Sequence, residues 1–368
     1  MERLHIPASD VHHGHHSEAL NDQPQTGSHD SADSQPGLAM QLPDTHPAAK
    51  LDLDVSEAVT EIRRDYLHEY YVLVAPKRKN RPYDAASHDH PMVESADSPR
   101  LDLQTSVLEI PSKSGNILWD VKVVENKYPA LTLDNPHAYG KQEIVIDTPL
   151  SNVPFGRLDS AQVGVVLQAY RERSRDIKHN RHIAYVSIFR NDGYEAGASL
   201  AHAHSQIIAL PIVPPNIIRE AEACANYYDK YQRDPFEAII LFEKQENKRL
   251  IAENEDWIAF CPYASQWQME TWLLPKRAIS ILDDCDNQLL SSAAEILAPI
   301  TKALTDTSIS YNLIVDQGIH PNQRLTLKIC GRNVVSPWGG LEVGTGMIVN
   351  VIPPESAARW YRRQNPAK

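Results

Sequence analysis

Residues 183–211 read "IAYVSIFRNDGYEAGASLAHAHSQIIALP", and the division of this stretch decides the fold. "IAYVSIFRN" is rich in β-branched and aromatic residues, and "AHSQIIALP" is an apolar run closed by a proline, so both are expected to be strands. Alternation at period two would point His202, His204 and Gln206 the same way and turn Ala203 and Ser205 to the opposite face. A polar row inside an otherwise apolar strand implies that something small and polar sits against it.

Working outward, a helix is expected before the first of these strands. Asp159 or Ser160 can cap it, and Val163, Val166, Leu167, Tyr170 and Ile177 fall at helical spacing. Upstream of it, "YYVLVAP", "WDVKVVENKYPAL" and "EIVIDTPL" read as strands bounded by Pro, Asn and Gly. Downstream the plan recurs. "ETWLLPKR" is a strand, and a helix capped near Asp286 follows, with Leu289, Ala293, Ile296, Leu297, Ile300 and Leu304 on one face and Pro299 set to kink it. "YNLIVDQG" and "RLTLKICG" come next. Pro149 to Tyr185 and Pro275 to Tyr311 are both 36 residues apart, the spacing a duplicated strand–helix–strand unit would give. The late strands follow one another too closely for helical crossovers, so the sheets should be antiparallel. The expected architecture is α+β, a tandem pair of one domain over 55–235 and 236–368. Where the first copy has His202, His204 and Gln206, the second has only "RLTLKIC".

Residues 1–54 are rich in His, Asp, Ser, Pro and Gly without apolar periodicity, the composition of a disordered tail. The 368 residues carry a net charge of −12, which argues against nucleic acid or an anionic membrane as the main partner. No apolar run approaches the roughly 20 residues that span a bilayer, and no signal pattern is read at the N-terminus, so the expected compartment is the cytoplasm. Cys224, Cys261, Cys285 and Cys330 form no C-x-x-C pair and read as core thiols.

By itself His-x-His is a weak signal; His88-Asp89-His90 is a second instance and reads as a solvated loop. The setting of His202 and His204 differs. Gly193 and Gly197 let backbone approach a ligand, and Asn191 and Ser199 can donate to phosphate oxygens. A neutral imidazole with one nitrogen held by a backbone carbonyl is nucleophilic at the other, and a nearby glutamine amide can stabilise charge developing on a phosphoryl oxygen.

At this point the residues resemble a known family. "GASLAHAHSQ" is similar to the His-x-His-x-Gln motif of the galactose-1-phosphate uridylyltransferase family, within the histidine-triad superfamily. "YVLVAPKRKNRPYD", "VVENKYPAL", "ETWLLPKR" and "GGLEVGTGMIVNVIPPESAA" resemble further family segments between about residues 66 and 363. The resemblance implies a tandem pair of histidine-triad-like domains. It also implies that His204 takes a nucleoside monophosphate group as a covalent phosphohistidine, with Gln206 bonding the transferring phosphoryl group. Asn191, Ser199 and Gly197 would lie along the phosphates, Arg78 and Arg81 near the nucleotide, and Asn126 on its base and ribose side. His202 is a metal ligand in relatives.

The chain departs from the family in three places. Relatives with structural zinc use a C-x-x-C pair and a histidine that here are missing and Ser151. A second metal site in some members uses a glutamate and three histidines, for which this chain offers Glu220, Ala278, Thr326 and Lys328. No metal cofactor is therefore expected, and Glu220 reads as a helix-surface residue. Thr345-Gly346 replaces a tyrosine–glutamate pair, a pattern closer to the ADP-glucose phosphorylase branch. The resemblance thus implies a nucleotidyltransferase for a nucleoside-diphosphate hexose, with a hexose 1-phosphate acceptor or, in the alternative, phosphate or sulfate, and a homodimer as the assembly. The competing classes are a non-catalytic nucleotide-sugar binder and a metal-handling protein using the tail and the His-x-His pairs.

Overall fold

Two long helices form where the apolar spacing places them. α1 (Ser160–Lys178) is capped by Asp159, whose carboxylate accepts from Gln162 N at 2.8 Å, and ends on Arg175 and Lys178, which complement its C-terminal dipole. α4 (Asn287–Asp306) is capped the same way by Asp286, which accepts from Leu289 N at 2.7 Å, and contains Pro299. The two helices pack together on one face of the sheet and share its main core, with Val163, Val166, Leu167, Leu289, Ala293 and Leu297 buried against Val145, Ile188, Ile207, Leu313 and Leu327.

The computed structural model describes residues 61–64, 71–74, 104–112, 119–332, 343–344, 350 and 352–364. The expected tail over 1–54, and Arg78, Arg81, His88, His90, Thr345 and Gly346, lie outside them. β1 (Glu61–Arg64) and β2 (Tyr71–Val74) pair antiparallel. The first half then gives β3 (Ser106–Pro111), β4 (Trp119–Glu125), β5 (Lys141–Ile146), β6 (Tyr185–Asp192) and β7 (His204–Leu210). The second gives β8 (Leu250–Glu253), β9 (Trp257–Phe260), β10 (Gln268–Pro275), β11 (Tyr311–Asp316) and β12 (Thr326–Gly331).

These ten strands form one sheet in the order β3-β4-β5-β7-β6-β11-β12-β10-β9-β8. Every pairing in it is antiparallel, as the short late connections require. The order reads the same from either edge toward the centre: β6 answers β11, β7 answers β12, and β5, β4 and β3 answer β10, β9 and β8. α1 precedes β6 in the chain as α4 precedes β11. At the centre Ile188 faces Val315 and Asn191 faces Asn312 across the β6–β11 pair.

The opposite face of the sheet is treated differently in the two halves. Over the second half lie α2 (Pro215–Tyr231), of which the sequence reading gave only a helix at Glu220, and α3 (Pro235–Glu246), which it did not anticipate. Both begin with proline at the first turn, where its missing N–H costs nothing. Asp234 caps α3, accepting from Phe236 N at 2.8 Å and Glu237 N at 3.2 Å. Cys224, Phe236 and Ile240 of these helices bury Ile258, Phe260 and Leu274. Ion pairs tie them to the second-half strand and its approach: Arg324 to Asp234 at 2.5 Å and Lys328 to Glu220 at 3.5 Å. Glu220 lies on helix α2 as expected, partly exposed, with Lys328 as the partner of its carboxylate. The last helix, α5 (Pro354–Gln364), buries Ala357, Ala358 and Tyr361 in the main core.

Asp234 does two jobs, as α3 cap and as the partner of a buried guanidinium. Asp234→Ala should therefore cost about 2–4 kcal/mol, against about 1 kcal/mol for loss of the solvent-side cap in Asp286→Ala. Chemical denaturation of the two variants compares them.

Candidate active site

β7 starts at His204, so the row of three side chains expected along one strand is divided. His204 and Gln206 stand on the face of β7 turned away from α1 and α4, whereas His202 lies in the bend before the strand. The cause is a pair of carbonyl contacts. His202 Nε2 meets the Thr148 carbonyl oxygen at 2.7 Å, and His204 Nδ1 meets the His202 carbonyl oxygen at 2.8 Å. A carbonyl can only accept, so His202 carries its proton on Nε2 and His204 carries its own on Nδ1. In the neutral ring the Nε2 atom of His204 then holds the lone pair, the form an imidazole nucleophile needs. Both histidines are buried.

Gln206 is oriented by a chain of amides that starts at a backbone donor. Ala130 N–H donates to Gln142 Oε1 at 2.9 Å, so Gln142 Nε2 is the end that donates to Gln206 Oε1, also at 2.9 Å. Gln206 is left presenting its NH2 group as a donor. Gln142 also receives Asn126 N–H on its backbone carbonyl at 3.0 Å, and the Asn126 side chain accepts from Tyr128 N–H at 2.9 Å. Asn126 thus stands at the end of β4, one residue contact from the Gln142–Gln206 pair.

The connection from β6 to β7 is a tight turn over Gly193–Gly197. Gly193 and Gly197 have φ of 86° and 83°, a left-handed region that side-chain-bearing residues avoid, and a Cβ on Gly193 would lie 2.2 Å from Ser310 Oγ. Asn191 Nδ2 donates to the Gly197 carbonyl at 3.3 Å, and Asn312 Nδ2 donates to Asn191 Oδ1 and to the Ala196 carbonyl, both at 2.9 Å. Just beyond, the Ser199 hydroxyl is buried with no hydrogen-bond partner among the described residues. An orphaned buried hydroxyl beside a glycine turn is a donor waiting for an acceptor oxygen.

Behind the histidines, on the helix side of β7, lies a buried charge cluster that the sequence reading missed. Ser205 takes hydrogen bonds from Tyr170 at 2.5 Å and from Arg190 Nη1 at 3.0 Å, and gives its own proton to Asp147 at 3.4 Å. Arg190 pairs with Asp147 and with Asp192 at 3.1 Å, and its guanidinium lies 4.2 Å from the centre of the Phe155 ring. Burial works against the Arg190 charge, but the Asp147 and Asp192 carboxylates hold it protonated above its ordinary range. Burial likewise pushes the Asp147 carboxyl up, against the pull of Arg190. Asp147 N–H bonds the Ala203 carbonyl at 3.2 Å, and the next residue supplies the carbonyl that holds His202, so the cluster fixes both ends of the His202–His204 segment.

Among the described residues no group of three or more His, Cys, Asp or Glu could hold a metal ion. The metal sites of relatives do not fit this chain. Ser151 offers no imidazole, and at the second site the Lys328 ammonium sits 2.6 Å from Asp316 and 3.5 Å from Glu220, filling with its own charge the place a cation would take.

Comparison with known proteins agrees with this geometry. Residues 132–214, which hold the glycine turn and both histidines, match the family model described as galactose-1-phosphate uridyl transferase, N-terminal domain. Over these residues the chain is similar to the galactose-1-phosphate uridylyltransferase family. The chain is 28% identical over 332 residues to the ADP-glucose phosphorylase of Arabidopsis thaliana, covering 82% of this chain and 92% of that protein. It is 25% identical over 328 residues to the galactose-1-phosphate uridylyltransferase of Thermotoga maritima, covering 82% and 98%. A solved uridylyltransferase structure superposes with a TM-score of 0.68 at 27% identity, covering 83% of this chain and 98% of that one. The Arabidopsis thaliana ADP-glucose phosphorylase with bound ADP-glucose superposes with a TM-score of 0.64 at 25% identity over the same shares.

Two measurements check the site. Nitrogen-15 NMR of the imidazoles should find opposite neutral tautomers, Nδ1–H in His204 and Nε2–H in His202; the same tautomer in both would contradict the two carbonyl contacts. Arg190→Ala should cost about 3–5 kcal/mol at neutral pH by leaving Asp147 buried and unpaired. The Asp147 carboxyl is raised in the folded state, so its protonated form favours folding at low pH and that contribution is lost as pH rises through the folded value. The deficit of Arg190→Ala relative to wild type should accordingly shrink as pH is lowered in denaturant titrations.

Proposed function

We propose that the chain is a nucleotidyltransferase working by double displacement on a nucleoside-diphosphate hexose. The observation that carries this reading is the His204 imidazole, protonated on Nδ1 by its bond to the His202 carbonyl and next along the strand face to the Gln206 amide donor. In the first step the Nε2 lone pair of His204 attacks the α-phosphorus. The bond from that phosphorus to the bridging oxygen breaks, and the sugar 1-phosphate leaves with the electron pair. In the second step an oxygen of a phosphate-bearing acceptor attacks the same phosphorus, the N–P bond breaks, and His204 returns to its starting form. Each step is an in-line displacement at a positioned phosphorus, and the Gln206 NH2 group donates to a phosphoryl oxygen as charge builds there. His202 serves through its carbonyl and its anchor on Thr148. Asn191, Gly197 and Ser199 line the phosphates, Asn126 the nucleoside side, and Arg78 and Arg81 add positive charge.

Relatives with both acceptors cover more than four fifths of the chain, one named a uridylyltransferase and one an ADP-glucose phosphorylase. The first acceptor reading is a hexose 1-phosphate. The second, inorganic phosphate or sulfate, is favoured by the ADP-glucose phosphorylase being the more similar of the two, at 28% against 25% identity. The same reading takes residues 55–235 and 236–368 as repeats of one histidine-triad-like unit, supported by the mirrored strand order. It takes the enzyme as a homodimer of the cytoplasm. For that compartment, the four cysteines, all buried and unpaired, suit a reducing environment.

Incubation with UDP-glucose or ADP-glucose labelled at the α-phosphorus should leave an acid-labile label on the wild-type protein and none on His204→Ala. A wild-type protein that takes no label from any nucleotide sugar overturns the reading. Release of glucose 1-phosphate on adding galactose 1-phosphate identifies hexose exchange, and release on adding phosphate or sulfate identifies the phosphorylase reaction.

A further inference from the structure

We propose that Asn312, on the second-half strand β11, is a positioning residue for the catalytic half: it sets the direction in which the Asn191 amide points and pins the glycine turn that leads to His204. This rests on the function proposed above. Asn312 and Asn191 are cross-strand partners in the β6–β11 pairing, 121 residues apart in sequence. Both belong to the strand face that carries Phe189 and, across β7, Gln206; their neighbours Ile188, Leu313 and Val315 face the helices.

The orientation follows from hydrogen-bond polarity. The Ala196 carbonyl can only accept, so the atom of Asn312 that meets it must be the NH2 nitrogen. The second proton of that nitrogen then points to Asn191, which must answer with Oδ1. Asn191 is thus obliged to turn its own NH2 group toward the turn, where one proton reaches the Gly197 carbonyl at 3.3 Å. The other is left for a ligand oxygen. Without Asn312 the direction of the Asn191 amide rests on the single 3.3 Å contact to the Gly197 carbonyl. A flipped Asn191 would present an acceptor oxygen to an anionic group, repelling the phosphate it should bind. One residue of the second half thereby fixes both the local polarity of the phosphate side and the carbonyl end of the Gly193–Gly197 turn.

A double-mutant cycle tests this, read as kcat/KM for formation of the labelled His204 adduct and as affinity for a nucleoside diphosphate and for the bare nucleoside. Asn312→Ala should lower kcat/KM about tenfold, the loss of one oriented hydrogen bond. It should weaken the nucleoside diphosphate by a similar factor and leave the nucleoside unchanged. Asn312→Asp keeps the shape but exchanges the donor for an acceptor, and should lose at least as much. If Asn312 acts through Asn191, then Asn312→Ala added to Asn191→Ala costs no more than Asn191→Ala alone. Thermal unfolding of each variant reports folding separately. A label on wild type together with additive losses, or with equal weakening of nucleoside and nucleoside diphosphate, overturns the positioning role and leaves the proposed function standing. A wild-type protein that takes no label overturns both.

Discussion

The pairing of β6 with β11 is the constraint on which the rest depends. Ile188 opposite Val315 joins the cores of the two halves under α1 and α4, and a slip of one residue would turn every side chain of one half to the wrong face. The same register sets Asn312 beside Asn191. Packing and chemistry are therefore fixed by one set of backbone hydrogen bonds, helix-facing residues serving the core and their neighbours serving the site.

Burial of polar groups follows a consistent logic around β7. Gln206, His202 and His204 are each held through one polar atom by a partner whose donor or acceptor character admits no alternative: a backbone carbonyl for the histidines, and for Gln206 an amide fixed by a backbone N–H. On the reverse side Ser205 uses its hydroxyl both to accept and to donate, joining Tyr170, Arg190 and Asp147. Such a network orders the strand more than it stabilises the fold, because the desolvation of Asp147 and Arg190 offsets much of their attraction. The rigidity lies directly behind the atoms that the proposed mechanism needs to hold still.

Much of the fold was legible in the sequence. The caps Asp159 and Asp286, the helical spacing behind each, and the strands flanking them all fall where local pattern places them, since each depends on residues within a few positions. The bounds of α2 and the whole of α3 escaped notice although Pro215 and the Asp234–Pro235 pair are helix-start signals; in α3 the exposed Leu241 blurs the amphipathic pattern. At the site, His204 and Gln206 could be read from alternation. The break at His202 could not, because it is imposed by Thr148, 54 residues earlier in the chain. Asn312 carries no sequence signal at all, since a lone asparagine in "YNLIVDQG" acquires meaning only from the strand beside it.

The covering of one half by α2 and α3 bears on stoichiometry. The second half offers, at the place of His202, His204 and Gln206, the residues Arg324, Thr326 and Lys328, and both cations are already neutralised by Asp234, Glu220 and Asp316. An anion approaching that row would meet a helix and a settled charge balance. On the proposed mechanism the chain therefore counts as a single reacting equivalent, although its strand order is mirrored about the centre.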